Sequence, residues 1–186
     1  MERDSTQDLA LASAEVGALI ARIRPEQWAG PTPCAEWSVW GVVNHIVGLN
    51  LVFTAMLTSG PMPERGVDIL GEDPLGAYRE SNAALQRAFG EPGVLAREFP
   101  GPLGTATGAE RLQIRLTDLI THGWDLRQAT GIELRIPEEM AEHALAFIQV
   151  QMATQNRAGR FGEPRRIAES APALDRLAAF LGRSVG

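Results

Sequence analysis

Residues 39–58 read VWGVVNHIVGLNLVFTAMLT, a helix-length stretch with apolar side chains on most of its circumference. A helix with no wet face has to be surrounded by other elements, so the rest of the chain must build around it. Asn44, His45, Asn50 and Thr54 interrupt the run. They keep it short of the roughly 18 unbroken apolar residues of a membrane span. The expectation is the central, most buried helix of a bundle, with Ser38 as its N-cap. The sequence TSGPMPERG, with its Gly and Pro residues, ends it.

The flanking segments supply partners. Leu9, Ala12, Val16, Leu19, Ile20 and Ile23 recur at spacings of three and four within 5–23, the pattern of an amphipathic helix. RPEQWAGPTPCAEW, with three prolines, is a loop. Residues 74–89 form a third helix with Leu75, Tyr78, Leu85 and Phe89 inward, and REFPGPLGTATGAE suits a short hairpin. A fourth helix spans about 108–130 with Leu112, Leu116, Leu119, Gly123 and Leu126 on its core face, and Gly131 stops it. Pro137, Glu138 and Glu139 start a fifth, which turns Ala144, Phe147, Ile148 and Met152 inward. NRAGRFGEPRRIAESAP is an irregular connector before a last helix at 172–182. The fold class is all-α: a four-helix bundle with a short hairpin and extra C-terminal helices. We expect residues 1–186 to form one domain, with an extension from about 156 to 186 packed on it.

Charge narrows the partners. The net charge is −6, and no basic group is denser than Arg165–Arg166. This argues against nucleic acid and against an anionic membrane surface as partners. Cys34 is the only cysteine, which excludes an internal disulfide and fits a reducing compartment. The start, MERDSTQDLA, carries charges where a signal peptide needs an apolar core, so the expected location is cytoplasmic. Apolar residues on more than one face of the second helix also allow a homodimer.

The stretch DLITHGWDL, residues 118–126, is where chemistry could reside. Asp118 and His122 are one helical turn apart and project from one face, with Asp125 three residues further on. His45 falls beside Leu49, Val52 and Met56 on the second helix, so it is buried or lines a cavity. Bundle metal sites are built this way, with ligands projecting inward from facing helices. Spacing alone leaves a plainer account open. A buried histidine is commonly just hydrogen-bonded, and Asp118 could pair with Arg115 on a wet face that also carries Arg111. Glu139 and His143 share the same spacing but sit among Glu138 and Glu142, as on a solvated flank. Cys34 reads as a packed residue, since no His or Lys adjoins it in sequence to lower its pKa. GTATG is too short for a phosphate loop, and Trp28, Trp37, Trp40 and Trp124 read as core or rim packing.

Three stretches together carry a resemblance. TPCAEWSVWGVVNHIVG (32–48), RLTDLITHGWDLRQATG (115–131) and GRFGEPRRIAESAPALDRLAAFLGR (159–183) resemble, in order, segments of the DinB-like metal-binding superfamily. More narrowly, the chain resembles the actinobacterial mycothiol-dependent maleylpyruvate isomerase N-terminal family. The resemblance implies a DinB-like four-helix bundle holding a divalent metal through His45, Asp118 and His122. Asp118 stands where relatives usually carry glutamate or histidine, and its reach is shorter. Asp125 and Arg127 then become candidates to hold the ligands in place through hydrogen bonds, or alternatively to form a helix-end salt bridge.

The implied ion is zinc, or else nickel, and the implied thiol cofactor is of the mycothiol type. The chemistry would be that of a thiol-dependent transferase or isomerase acting on a small electrophile. Trp40 or Trp124 would wall its approach. The family's isomerase has a further C-terminal domain that contributes to catalysis, and this chain is too short for a full one. The expectation is therefore the reaction class and not maleylpyruvate isomerisation itself. A metal-dependent hydrolase and a non-catalytic bundle that binds a small molecule or metal are the alternatives.

Overall fold

Apolar residues spaced three and four apart form helix α1 (Ser5–Ile20), which buries Leu9, Ala12, Val16, Leu19 and Ile20 on one side. Ser38 starts α2 (Val39–Thr58): its side-chain oxygen accepts from the Gly41 N–H at 3.2 Å. Asp73 caps α3 (Pro74–Gly90) in the same way, and Tyr78, Leu85 and Phe89 point inward. The predicted hairpin is present as β1 (Glu98–Phe99) antiparallel to β2 (Ala106–Thr107), with Phe99 opposite Ala106. Thr107 then begins α4 (Gly108–Thr130) with a reciprocal pair of bonds to Glu110, and Gly131 ends it at φ 70°. Helices α5 (Glu138–Thr154) and α6 (Ala173–Phe180) complete the chain. The structure, a computed structural model, describes residues 5–64, 66–101, 104–154 and 161–185. The first five residues of the predicted connector, 156–160, lie outside the described residues.

Helices α1 to α4 close into a four-helix bundle: α1 packs against α3 and α4, and so does α2. Helices α5 and α6 pack on each other and on α4, forming a second layer over it. This corrects the expectation for the centre of the fold. Helix α4 is the most buried helix, with 15 of its 23 residues buried against eight of 20 in α2. The reason is positional. Helix α4 is wrapped by the bundle on one side and by α5 and α6 on the other. Helix α2 turns its second apolar stripe toward a cavity. By length and composition alone α2 could cross a membrane. Its polar residues are instead bonded inside the fold: Asn44 to the backbone of Val67 and Ile69, and Asn50 to Arg115.

One glycine fixes where α4 begins. A Cβ on Gly108 would lie 2.2 Å from the carbonyl oxygen of Val94, in the 3-10 turn Val94–Ala96. Backbone cannot yield as a side-chain tip can. Gly108→Ala is therefore expected to cost about 1–3 kcal/mol, a fall of roughly 2–12 °C in melting temperature for a chain of this size. A thermal melt checks it, and an unchanged midpoint would contradict the close approach.

Candidate metal centre

Along α4, Arg111, Arg115, Asp118, His122 and Asp125 follow one another at spacings of four and three. On a helix this places all five on a single stripe. The stripe faces inward, and all its members but Asp118 are buried. Arg115 is fully buried, so its pairing with Asp118 does not lie on a wet face. Its Nη1 donates to Asp118 Oδ2 at 2.7 Å, Nε and Nη2 donate to Asn50 Oδ1 at 3.0 and 2.8 Å, and Nη2 reaches the Ile46 carbonyl at 3.2 Å. Asn50 is tied in turn to Ser81 of α3. Arg111 turns elsewhere: its Nη2 donates to the carbonyls of Phe99 and Gly104, fastening the hairpin to α4, while its buried Nε has no acceptor among the described residues.

Three of the sequence-derived candidates come together. His45 Nε2 lies 3.3 Å from Asp118 Oδ1, and His122 Nε2 lies 3.5 Å from the same oxygen. The two imidazole rings are 4.7 Å apart between centroids, at 70°. Bonds of about 2.0–2.1 Å to a tetrahedral ion place neighbouring ligand atoms about 3.3 Å apart. The donor set therefore fits a divalent cation with one position open, and aspartate's shorter reach suffices. Arg115 engages Oδ2 of Asp118 and leaves Oδ1 for the shared position.

Asp125 is fully buried, and its Oδ2 accepts from His122 Nδ1–H at 3.0 Å. This holds the ring so that Nε2 faces Asp118, the usual way a carboxylate orients a metal-binding histidine. Arg127 does not join them. Two residues past Asp125 on a helix it projects from another side, and positions two apart do not face each other. The partner of Asp125 is Arg183, beyond α6, whose Nε and Nη2 donate to its two oxygens at 3.2 and 2.9 Å. Neither residue adjoins the other in sequence, and no local pattern announces the pair.

Electrostatics follow the packing. Burial works to raise the Asp118 pKa, but the His122 and His45 imidazoles more than offset it and hold the carboxyl well below the usual range. Burial works to lower the His122 pKa, but Asp118 and Asp125 outweigh it and push it up to about 9. Cys34 is half-buried, and its thiol lies near His122 and Asp125. Burial raises its pKa, with Arg183 opposing. Arg183 already occupies both oxygens of Asp125, so a cation fits better among His45, Asp118 and His122.

Trp37 supplies the aromatic wall. Its ring lies 4.4 Å from that of His45 and 5.5 Å from that of His122. The expectation of Trp40 or Trp124 in this role is corrected. Trp40 packs edge-on against Trp28, while Trp124 is buried and donates to Asp175 of α6 at 2.7 Å. The centre opens into a cavity of about 770 Å³ between α2, α4 and α5. His143 of the competing Glu-x-x-x-His pair is exposed on α5, away from this cavity.

The bundle has a DinB-like helical fold. The family model for the mycothiol maleylpyruvate isomerase N-terminal domain matches residues 9–127, and the chain belongs to that family. Two uncharacterized proteins, from two strains of Mycobacterium tuberculosis, are 35% identical over 170 residues, covering 90% of this chain and 91% of theirs. Among solved structures, the mycothiol-dependent maleylpyruvate isomerase superposes with a TM-score of 0.62 at 16% identity. A histidine-to-alanine mutant of that isomerase gives 0.63 at 15%. These alignments cover 76% of this chain and 66% of the isomerase, just under two thirds of it, and they establish the fold.

Proposed function

We propose that the protein is a divalent-metal and low-molecular-weight-thiol dependent transferase or isomerase acting on a small electrophile. The carrying observation is the pair of imidazole nitrogens 3.3 and 3.5 Å from one oxygen of Asp118, at the edge of a cavity. The name of the family supports a mycothiol-type cofactor. Zinc suits two imidazoles and a carboxylate with an open position, and nickel accepts the same donors.

An ion held there would supply Lewis acidity, making a thiol at the open position a thiolate near neutral pH. The chain's own residues do the rest. Asp125 fixes the His122 ring, Arg115 fixes the Asp118 carboxylate, and Trp37 packs its ring against that of His45. The sulfur forms a bond to the electrophilic carbon as the thiol proton is lost. In a transfer, the leaving group departs with its bonding pair. In an isomerisation, the sulfur adds to an activated carbon–carbon double bond whose π pair moves onto the neighbouring electron-withdrawing group. After rotation about the resulting single bond that pair returns, the carbon–sulfur bond breaks, and the thiolate leaves and recovers its proton from solvent. Neither course needs an oxidant or reductant.

The test uses protein made without a polyhistidine tag and purified without chelators. We expect about one metal per chain, and none in a His45→Ala, His122→Ala variant. The loaded protein should consume mycothiol with a chromogenic aryl halide, and the variant should not. Turnover of an activated ester without any thiol would instead favour hydrolysis. Absence of metal after incubation with zinc or nickel would overturn the proposal.

A further inference from the structure

The cavity is larger than a small electrophile beside a metal requires, and the His–Asp–His cluster forms part of its wall. From His45 the same side of α2 continues through Leu49, Val52 and Met56, at spacings of four, three and four. Eleven residues at 1.5 Å each make a row about 16 Å long. Leu49, Val52, Phe53 and Met56 are all only partly covered by protein, and Ile114 of α4 and Ile148 of α5 also line the cavity. A contiguous apolar lining left open in this way marks a ligand groove. Of the two described arginines that line it, Arg183 is bonded to Asp125, and Arg111 is bonded to Phe99 and Gly104 through Nη2 alone, its buried Nε having no acceptor among the described residues.

We infer that the substrate is an electrophile with an extended apolar tail, an alkyl or aryl-alkyl chain, lying along α2 from His45 toward Met56. The identity of the reactive end rests on the metal-centre reading above. The tail groove rests on the apolar row alone. The groove is continuous with the His–Asp–His cluster, so a molecule filling it presents one end to the centre. Its length matches a medium-length chain, while a compact polar acid would leave most of the lining uncovered.

The experiment measures binding of straight-chain alcohols, from butanol to decanol, to zinc-loaded and metal-free protein by titration calorimetry. Each added methylene buried in the groove should tighten binding about fourfold. In Met56→Trp, which fills the far end, the gain should stop at a shorter chain. In Val52→Glu, which places a charge in the wall, it should vanish. Both positions face the cavity, and melting curves confirm that the variants fold. Affinity independent of chain length, or a series unaffected by Met56→Trp, would overturn the inference. The outcomes also separate the two readings. A chain-length series in a protein that never takes up metal would keep the groove and sink the metal centre. A loaded protein with a flat series would do the reverse.

Discussion

Arg115→Ala is expected to lower the stability of the metal-free protein by about 3–5 kcal/mol, because it removes the fully buried member of a part-buried ion pair together with that member's other buried hydrogen bonds. For a chain of this size that is a fall of roughly 6–20 °C in melting temperature. The guanidinium is fully buried and serves three protein acceptors: Asp118, Asn50 and the Ile46 carbonyl. Alanine leaves all three without that donor and opens a void between α2 and α4. Unmet buried acceptors and lost packing add to each other. Arg115→Lys should fall between the two, since a single ammonium cannot reproduce a planar fork that reaches three acceptors. Zinc should restore part of the loss by giving Asp118 a cationic partner again, so the melting temperature gap should narrow with added metal. Urea unfolding of chelator-treated protein measures the first effect. A loss under about 1 kcal/mol would mean that desolvation of Arg115 nearly cancels its bonds.

The same residue shows where reading the sequence stops. The spacing of Asp118 and His122 was legible, because one helical turn brings them to one face whatever surrounds the helix. The starts of α2 and α4 and the stop at Gly131 were legible because caps and left-handed glycine are local chemistry. Whether the polar stripe of α4 faced water was not, since periodicity identifies a face and not what covers it. A cue was present: Arg115 stands three residues after Leu112 and four before Leu119, inside the apolar face. The apolar circumference of α2 misled for a related reason, because one stripe lines a cavity and only the other packs. Arg183 was out of reach for a different reason. It meets Asp125 across 58 residues of chain through the placement of α6, which no local pattern encodes. Trp37 sits in a proline-rich loop without periodicity, so its stacking on His45 depends on the loop path alone.

Zinc affinity is expected to rise about tenfold per pH unit between about pH 6 and 8 and to level off near pH 9, where metal-free His122 loses its proton. Asp118 and Asp125 overcome burial to hold that proton, and ligation through Nε2 must displace it. Calorimetry in buffers of different ionisation enthalpy should therefore find about one proton released per zinc near pH 7. Stability without metal runs the opposite way. A histidine whose folded pKa is raised contributes fully below its unfolded value of about 6.5, and that contribution is lost as pH rises through about 9. Asp118, with its folded pKa depressed, contributes above its unfolded value and loses that contribution as pH falls. The metal-free protein should thus draw most from this cluster between about pH 4 and 6.5. Added zinc should stabilise it little there and progressively more toward alkaline pH. Asp125→Asn removes one of the two carboxylates that hold the His122 proton, so the level region should move to lower pH. Zinc binding without proton release near pH 7 would mean that His122 is already neutral, and that its two carboxylate neighbours are balanced chiefly by Arg115 and Arg183.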